Sequence, residues 1–275
     1  MNTTKPQRLV VKLGTAQLAG PDGKLNTVVF ESVATQVAAL RAEGVLTTVV
    51  SSGAIFACRQ RLREDGIDAS GFSKKLLAGI GAGNLLDHWR QAFKIQKLPV
   101  SQHLVTFYNC CHQDERYSLA VTLAEAMENG VIPIVNENDP VSPNEIELMD
   151  LGFSENDVLA ALVADIIEAD AIIFFSDAGG VFDGNPSVNT NVRRYLSIDA
   201  WNVPRELQAT KDKVKAASVY GTGGIESKIS AAARCHRSGM RVSIANLNGS
   251  KDILIRFVSG EAVGTVMGGS TILGD

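Results

Sequence analysis

Short apolar runs recur at Leu9–Leu13, Val45–Val50, Val100–Val105, Val131–Val135, Ala171–Phe175 and Arg241–Ala245. Most are rich in Val and Ile without polar alternation, as strands buried on both faces should be. Between them lie Thr27–Glu43, Ser73–Lys94, Glu115–Asn129, Asp157–Glu168 and Ser227–Ser238, each with apolar residues at helical spacing. Such strand–helix alternation predicts right-handed crossovers and an α/β fold, a mainly parallel sheet sandwiched between helices. The stretch Gly184–Gly224 is polar and irregular, with room for a short helix near Ile198–Leu207. No repeat or low-complexity run appears. No linker separates independent domains either, so residues 1–275 read as one domain with two lobes, about 1–165 and 166–275.

Composition narrows the function classes. At ~150 residues per domain, 275 residues make one or two domains with ample core. Hydrophobic residues at 45% and charged residues at 20% are ordinary for a globular chain, which excludes disorder and collagen-like structure. A net charge of −4 lacks the basic footprint of a nucleic-acid binder. An anionic substrate would therefore need local positive charge. The most apolar stretch, Val158–Phe175, is interrupted by Asp165, Glu168 and Asp170, so no membrane span is expected. Lys12 breaks the apolar run Leu9–Val11 too early for a signal peptide. Of the four cysteines, Cys111 and Cys235 each precede a histidine, but no partners stand at ligand spacing. They read as structural or incidental, no metal site is expected, and a reducing cytoplasm is the simplest setting.

In an open parallel sheet, ligands bind beyond the carboxyl ends of the strands. Polar or glycine-rich clusters fall at four such ends: Lys12-Leu13-Gly14-Thr15, Ser51-Ser52-Gly53-Ala54, Asn136-Glu137-Asn138-Asp139 and Ser176-Asp177. One polar cluster is an ordinary turn; four after four strands form a site. Lys12, inside a buried run, is either a snorkelling strand-end lysine or a point charge aimed at a phosphate, with Gly14 permitting close approach. Gly53, entering a helix, is either a turn glycine or part of an anion-binding turn. Gly221-Thr222-Gly223-Gly224 followed by Lys228 combines a flexible anion cradle with a cation just inside a helix. Known fingerprints do not fit it. Glu226 breaks G-x-G-x-x-G, Asn84 breaks the same pattern after Gly79, and no G-x-x-x-x-G-K-[ST] occurs.

Taken together, Val11-Lys12-Leu13-Gly14-Thr15, Ser52-Gly53-Ala54, Ile134 through Asp139, Asn156-Asp157, Ser176-Asp177 and Gly221 through Lys228 resemble the amino acid kinase family. The similarity runs from Leu9 to about Met267, with all motifs in family order. It implies the three-layer α/β/α sandwich of that family, with a substrate lobe followed by a nucleotide lobe. The Asn-Glu-Asn-Asp run and the Gly-Thr-Gly-Gly-x-x-x-Lys loop are most similar to members that phosphorylate the γ-carboxylate of L-glutamate to open proline synthesis. The resemblance implies that Lys12 and Lys228 flank the transferred phosphoryl group and that Asp157 holds both lysines. Ser52, Gly53, Asn136, Asp139 and Asn156 would bind glutamate. Lys12, Gly14, Ser176, Asp177 and the segment Thr222, Gly223, Gly224, Ile225, Glu226, Ser227, Lys228 would bind ATP, with Mg²⁺ carried on the nucleotide. Feedback by proline at a site overlapping Asn136 and Asp139, and a homo-oligomer, are further implications. The C-terminal RNA-modification-type (PUA) domain of many such members is expected to be absent.

The chemistry suits these residue types. A carboxylate attacking ATP is already ionised and needs no general base, so catalysis reduces to in-line positioning and neutralisation of spreading charge. The four histidines lie outside every cluster. Departures from the family pattern occur at Gly81-Ala82-Gly83-Asn84, where Gly-Gln-Ser-Arg is usual, and at Leu119-Ala120-Val121 in place of Asn-Ala-Arg. Ser154-Glu155-Asn156-Asp157 replaces Gly-Asp-Asn-Asp, and the stretch between Asp139 and Asn156 is long. These bear on the acyl substrate and its regulation more than on phosphoryl transfer. Two other readings stand beside the first: a family kinase acting on another carboxylate, carbamate or phosphate, and a non-catalytic ligand sensor. Retention of Lys12, Asp157 and Lys228 together speaks against the sensor.

Overall fold

The structure is a computed structural model and describes residues 5–142, 155–186, 189, 191–204, 207, 224–247 and 250–274. Among these the elements are β1 (Arg8–Leu13), α1 (Thr15–Leu18), α2 (Thr27–Ala42), β2 (Leu46–Ser51), α3 (Ala54–Glu64) and α4 (Lys74–Ile95). They continue with β3 (Val100–Val105), α5 (Phe107–Cys111), α6 (Gln113–Glu128), β4 (Ile132–Glu137), α7 (Glu155–Ile166) and β5 (Ala171–Phe175). The chain closes with β6 (Tyr195–Ile198), α8 (Ile225–Arg237), β7 (Arg241–Ala245), α9 (Ile253–Val258), β8 (Thr265–Met267) and β9 (Ile272–Leu273).

One nine-stranded sheet has the order β3-β4-β2-β1-β5-β7-β8-β6-β9. Neighbours from β3 to β7 all run parallel, while β7–β8 and β6–β9 are antiparallel. Helices cover both faces. Side chains alternate across a strand with period two, so Leu9, Val11 and Leu13 pack into one core with Phe30 and Val37 of α2, Trp89 and Phe93 of α4, and Phe257 of α9. Val10 joins the opposite core with Leu123 of α6, Leu162 of α7 and Ile229 of α8. Lys12 shares the parity of Val10 and so faces the layer of α6, α7 and α8. That single fact of register decides where the site forms.

The six strands read from the pattern are present, each within about a residue or two of its expected bounds. Three short strands and helix α3 carry weaker patterns. α3 holds five charged or amide side chains in eleven residues, and only Ala54, Phe56, Ala57, Cys58 and Leu62 are buried. The short helix expected near Ile198–Leu207 needs correction at its start. Ile198 ends strand β6, and Asp199 opens a turn in which its carbonyl accepts from Asn202 N at 3.2 Å and its carboxylate from Trp201 N at 2.9 Å. A four-residue strand lying between β8 and β9 is too brief to show a period.

Candidate active site

Strands β4, β2, β1 and β5 are consecutive in the sheet, so the four clusters that follow them share one edge. Lys12 stands in register with Val50 on one side and Phe174 on the other, one residue before the end of β1. Two helices of the covering layer begin at this edge. Asp157 is the third residue of α7, and Lys228 is the fourth of α8.

These three side chains meet. Lys12 Nζ lies 2.5 Å from Asp157 Oδ1, and Lys228 Nζ donates to Oδ1 at 3.0 Å and Oδ2 at 3.1 Å. Ser227 Oγ adds a donor to Oδ2 at 3.1 Å. Asp157 is fully buried, and the Lys12 and Lys228 side chains are 4% and 9% exposed. The snorkelling reading of Lys12 therefore fails: its ammonium stays inside and meets a carboxylate. Burial pulls the Lys12 pKa down, to about 8; Asp157 opposes that fall and Lys228 adds to it. For Asp157 burial acts upward, but the two ammoniums outweigh it and hold the carboxyl near 2. Two cations against one anion leave an excess positive charge in a water-poor place. A buried ionic cluster of this kind does not enhance stability over apolar packing, whereas it suits the charge of a transferring phosphoryl group.

The neighbouring loops present glycines and small polar groups. An added Cβ on Gly14 would lie 3.7 Å from Lys12 Nζ, so the ammonium curls over that glycine. Ser52 is buried, its N–H held by Leu13 O at 3.0 Å, and Ser51 Oγ accepts from Trp89 Nε1 at 2.9 Å. A core tryptophan thus fixes the end of β2. Gly53 caps α3 with φ +111°, a left-handed conformation that glycine adopts without strain. Gly81 allows α4 to lie against α3, since a Cβ there would sit 1.8 Å from the Ala54 carbonyl oxygen.

Asn136 ends buried, with Oδ1 accepting from Glu137 N at 2.9 Å. Asp139 lies in the tight turn that follows, where Asn138 O accepts from Val141 N at 3.1 Å and Ser142 N at 3.0 Å. Asn156, beside Asp157, has a buried Oδ1 with no hydrogen-bond partner among the described residues. An orphaned acceptor beside the charged cluster is the mark of a missing donor. Ser176 N is held by Ala245 O at 2.7 Å, and Asp177 Oδ1 accepts from Ala178 N at 3.1 Å to shape the loop after β5. Gly224 precedes α8, with Ile225 and Glu226 half-buried in its first turn. Thr222 and Gly223 lie outside the described residues.

The structure thus brings Lys12, Asp157, Ser227 and Lys228 into contact and arrays the remaining described residues along the same strand ends. Ser227, expected from the resemblance to contact the nucleotide, also donates its hydroxyl to Asp157. The link from Trp89 to Ser51 leaves no mark in the sequence, because nothing in a helical period tells an indole that bonds a serine from one that only packs.

The pattern of the amino acid kinase family matches residues 7–246, and the chain belongs to that family. It is 33% identical over 259 residues to the glutamate 5-kinase of Sodalis glossinidius, covering 94% of this chain and 68% of that protein. To the glutamate 5-kinase of Shewanella oneidensis it is 36% identical over 260 residues, covering 94% and 67%. Among solved structures, UMP kinase from Bacillus anthracis superposes with a TM-score of 0.63 at 18% identity, over 99% of this chain and 100% of that one. Isopentenyl phosphate kinase of T. acidophilum gives 0.64 at 14% identity, over 95% and 100%. These two likenesses establish the fold.

Proposed function

We propose that the protein transfers the γ-phosphoryl group of MgATP to the γ-carboxylate of L-glutamate, giving L-glutamyl 5-phosphate and ADP. The observation that carries the reading is the buried Lys12–Asp157–Lys228 cluster with its excess positive charge. Glutamate as acceptor draws its support from the two glutamate 5-kinases named above.

In this reading the acceptor carboxylate and the nucleotide meet over the ends of β1 and β2. Lys12 reaches the phosphoryl group from one side and Lys228 from the other, cancelling charge that spreads onto its oxygens as the bond to ADP loosens. Asp157 remains ionised throughout; its task is to hold two mutually repelling ammoniums within 3 Å of one carboxylate. No proton moves. Ser52, Gly53, Asn136, Asp139 and Asn156 hold glutamate, the orphaned Asn156 Oδ1 accepting from its ammonium. Gly14, Ser176, Asp177 and residues 222–228 hold the nucleotide, and Mg²⁺ arrives on it as part of the substrate.

Within this reading the reaction opens proline synthesis in the cytoplasm, the enzyme is a homo-oligomer, and proline competes for the glutamate site. Among the described residues no helix is long and apolar enough to cross a membrane, and the four cysteines are free thiols. The test is ADP release with MgATP across L-glutamate, N-acetyl-L-glutamate, L-aspartate and carbamate. L-glutamate should give the largest rate, with proline raising its apparent KM. Equal or better turnover of N-acetyl-L-glutamate would overturn the acceptor assignment.

A further inference from the structure

Asp139, assigned above to the acceptor, sits on a turn that is supported by strand β3 and helix α4. Three contacts make that support. Asn138 N donates to Val105 O at 2.8 Å and fixes the front of the turn to the end of β3. Pro140 lies against Gly79, where an added Cβ would come within 3.2 Å of the proline Cγ. Lys75 Nζ donates to the Ser142 carbonyl at 2.5 Å and ties the back of the turn to the first helical turn of α4. That first turn is itself set by Ser73, whose side chain accepts from Leu76 N at 3.2 Å.

Among the described residues Lys75 has no carboxylate within salt-bridge distance, and its ammonium donates to this carbonyl. Its stem also lines a groove of about 400 Å³ with Leu76, Gly79, Ile80 and Pro140. The backbone bonds within the turn are the two that Asn138 O accepts, from Val141 N and Ser142 N. A charged donor reaching across from another element, over 67 positions of sequence, is an added constraint on the direction in which residue 139 points.

We propose that Lys75 is a positioning residue for the acceptor: through the Ser142 carbonyl it holds the 138–142 turn, and with it Asp139, in the orientation that receives the substrate ammonium. The inference rests on Asp139 binding the acceptor, as read above. Lys75 touches no reacting atom, so its loss acts on binding of the acceptor and leaves the charged cluster of Lys12, Asp157 and Lys228 intact. Losing one charge-assisted hydrogen bond, felt one step removed, corresponds to about a five- to tenfold change in the acceptor KM.

The test is steady-state kinetics on the full chain for Lys75→Met, which keeps the apolar stem, and Lys75→Arg, which keeps a charged donor. The expected result is a rise of about five- to tenfold in glutamate KM for Lys75→Met. The ATP KM and kcat should stay within about twofold, and Lys75→Arg should return near the parent. Gly79→Val, which crowds Pro140 from the other contact, should raise the same KM. Unchanged glutamate KM in Lys75→Met overturns the proposal. So does a joint fall of kcat and rise of both KM values together with a lowered Tm, which marks a general structural role. If the parent turns over another carboxylate and not glutamate, the acceptor reading fails by itself. The same comparison made with that acceptor then supports or overturns the positioning role separately.

Discussion

Replacing Asp157 by Asn probes the cluster at its centre. The side chain keeps its shape, but two buried ammoniums lose their counter-charge and the Ser227 hydroxyl faces an amide. Breaking a buried ion pair by removing one partner costs ~3–5 kcal/mol. Lys12 can soften this loss, because its pKa already stands at only about 8 and Asp157 is the influence holding it up. Without Asp157, burial and Lys228 both push Lys12 further down, so at neutral pH it sheds its proton. Stability should fall by roughly 3 kcal/mol in urea titrations, and the pH dependence should change with it. In the parent, Asp157 has a folded pKa of about 2 against an ordinary 3.8, so its stabilisation is whole above the ordinary value. That stabilisation is lost as the pH falls through the interval between the two values. The interval corresponds to roughly 2–3 kcal/mol, and Asp157→Asn should abolish it. Catalysis loses a charge contact made in the transition state, worth ~10²–10³ in kcat. Moreover, the alkaline limb of kcat/KM should move to lower pH, so the variant gains activity on acidification where the parent does not. The assay is ADP release across pH, with folding checked by circular dichroism. A folded Asp157→Asn enzyme with kcat within threefold of the parent and an unmoved limb would refute the argument.

Other expectations follow from the same geometry. Lys228→Met should lower kcat by ~10²–10³ and leave the glutamate KM within a few fold, since the charge it meets develops in the transition state. Asp139→Ala should instead raise the glutamate KM strongly with a smaller effect on kcat, which initial-rate titrations will separate. In the parent, Lys12 is charged below about pH 8, so kcat/KM should fall as the pH rises through that value; a profile flat to pH 10 would contradict it. Gly81→Ala should cost at least ~3 kcal/mol in chemical denaturation, because the new Cβ would meet the Ala54 carbonyl at 1.8 Å and force α4 away from α3.

Much of this arrangement is legible in the residues. The run Ala171–Phe175 is apolar throughout, and Leu9–Leu13 is apolar but for Lys12, a pattern that fits strands buried on both faces. Lys12 stands out because it breaks such a run, and its parity with Val10 aims it at the helix layer that carries Asp157 and Lys228. What periodicity does not carry is contact between distant elements. Ser227 bonding Asp157, Trp89 bonding Ser51 and Lys75 bonding Ser142 span 70, 38 and 67 positions, and each depends on how helices settle on the sheet. Helix α3 escaped the helical pattern because its outer face is polar and its buried stripe is narrow. Strands β6, β8 and β9 escaped because two to four residues cannot show an alternation. The long stretch between Asp139 and Asn156, and Thr222-Gly223 in the glycine loop, fall outside or largely outside the described residues.

The Lys12–Asp157–Lys228 cluster is proposed to pass a phosphoryl group to the γ-carboxylate of glutamate. Trapping the acyl phosphate with hydroxylamine tests it most directly, in reactions of MgATP and L-glutamate with the parent, Lys12→Met and Lys228→Met. γ-Glutamyl hydroxamate should form in proportion to ADP with the parent, and either variant should lose roughly 10²–10³ in rate. ADP formed without hydroxamate, or hydroxamate formed as fast by folded variants lacking either lysine, would contradict it.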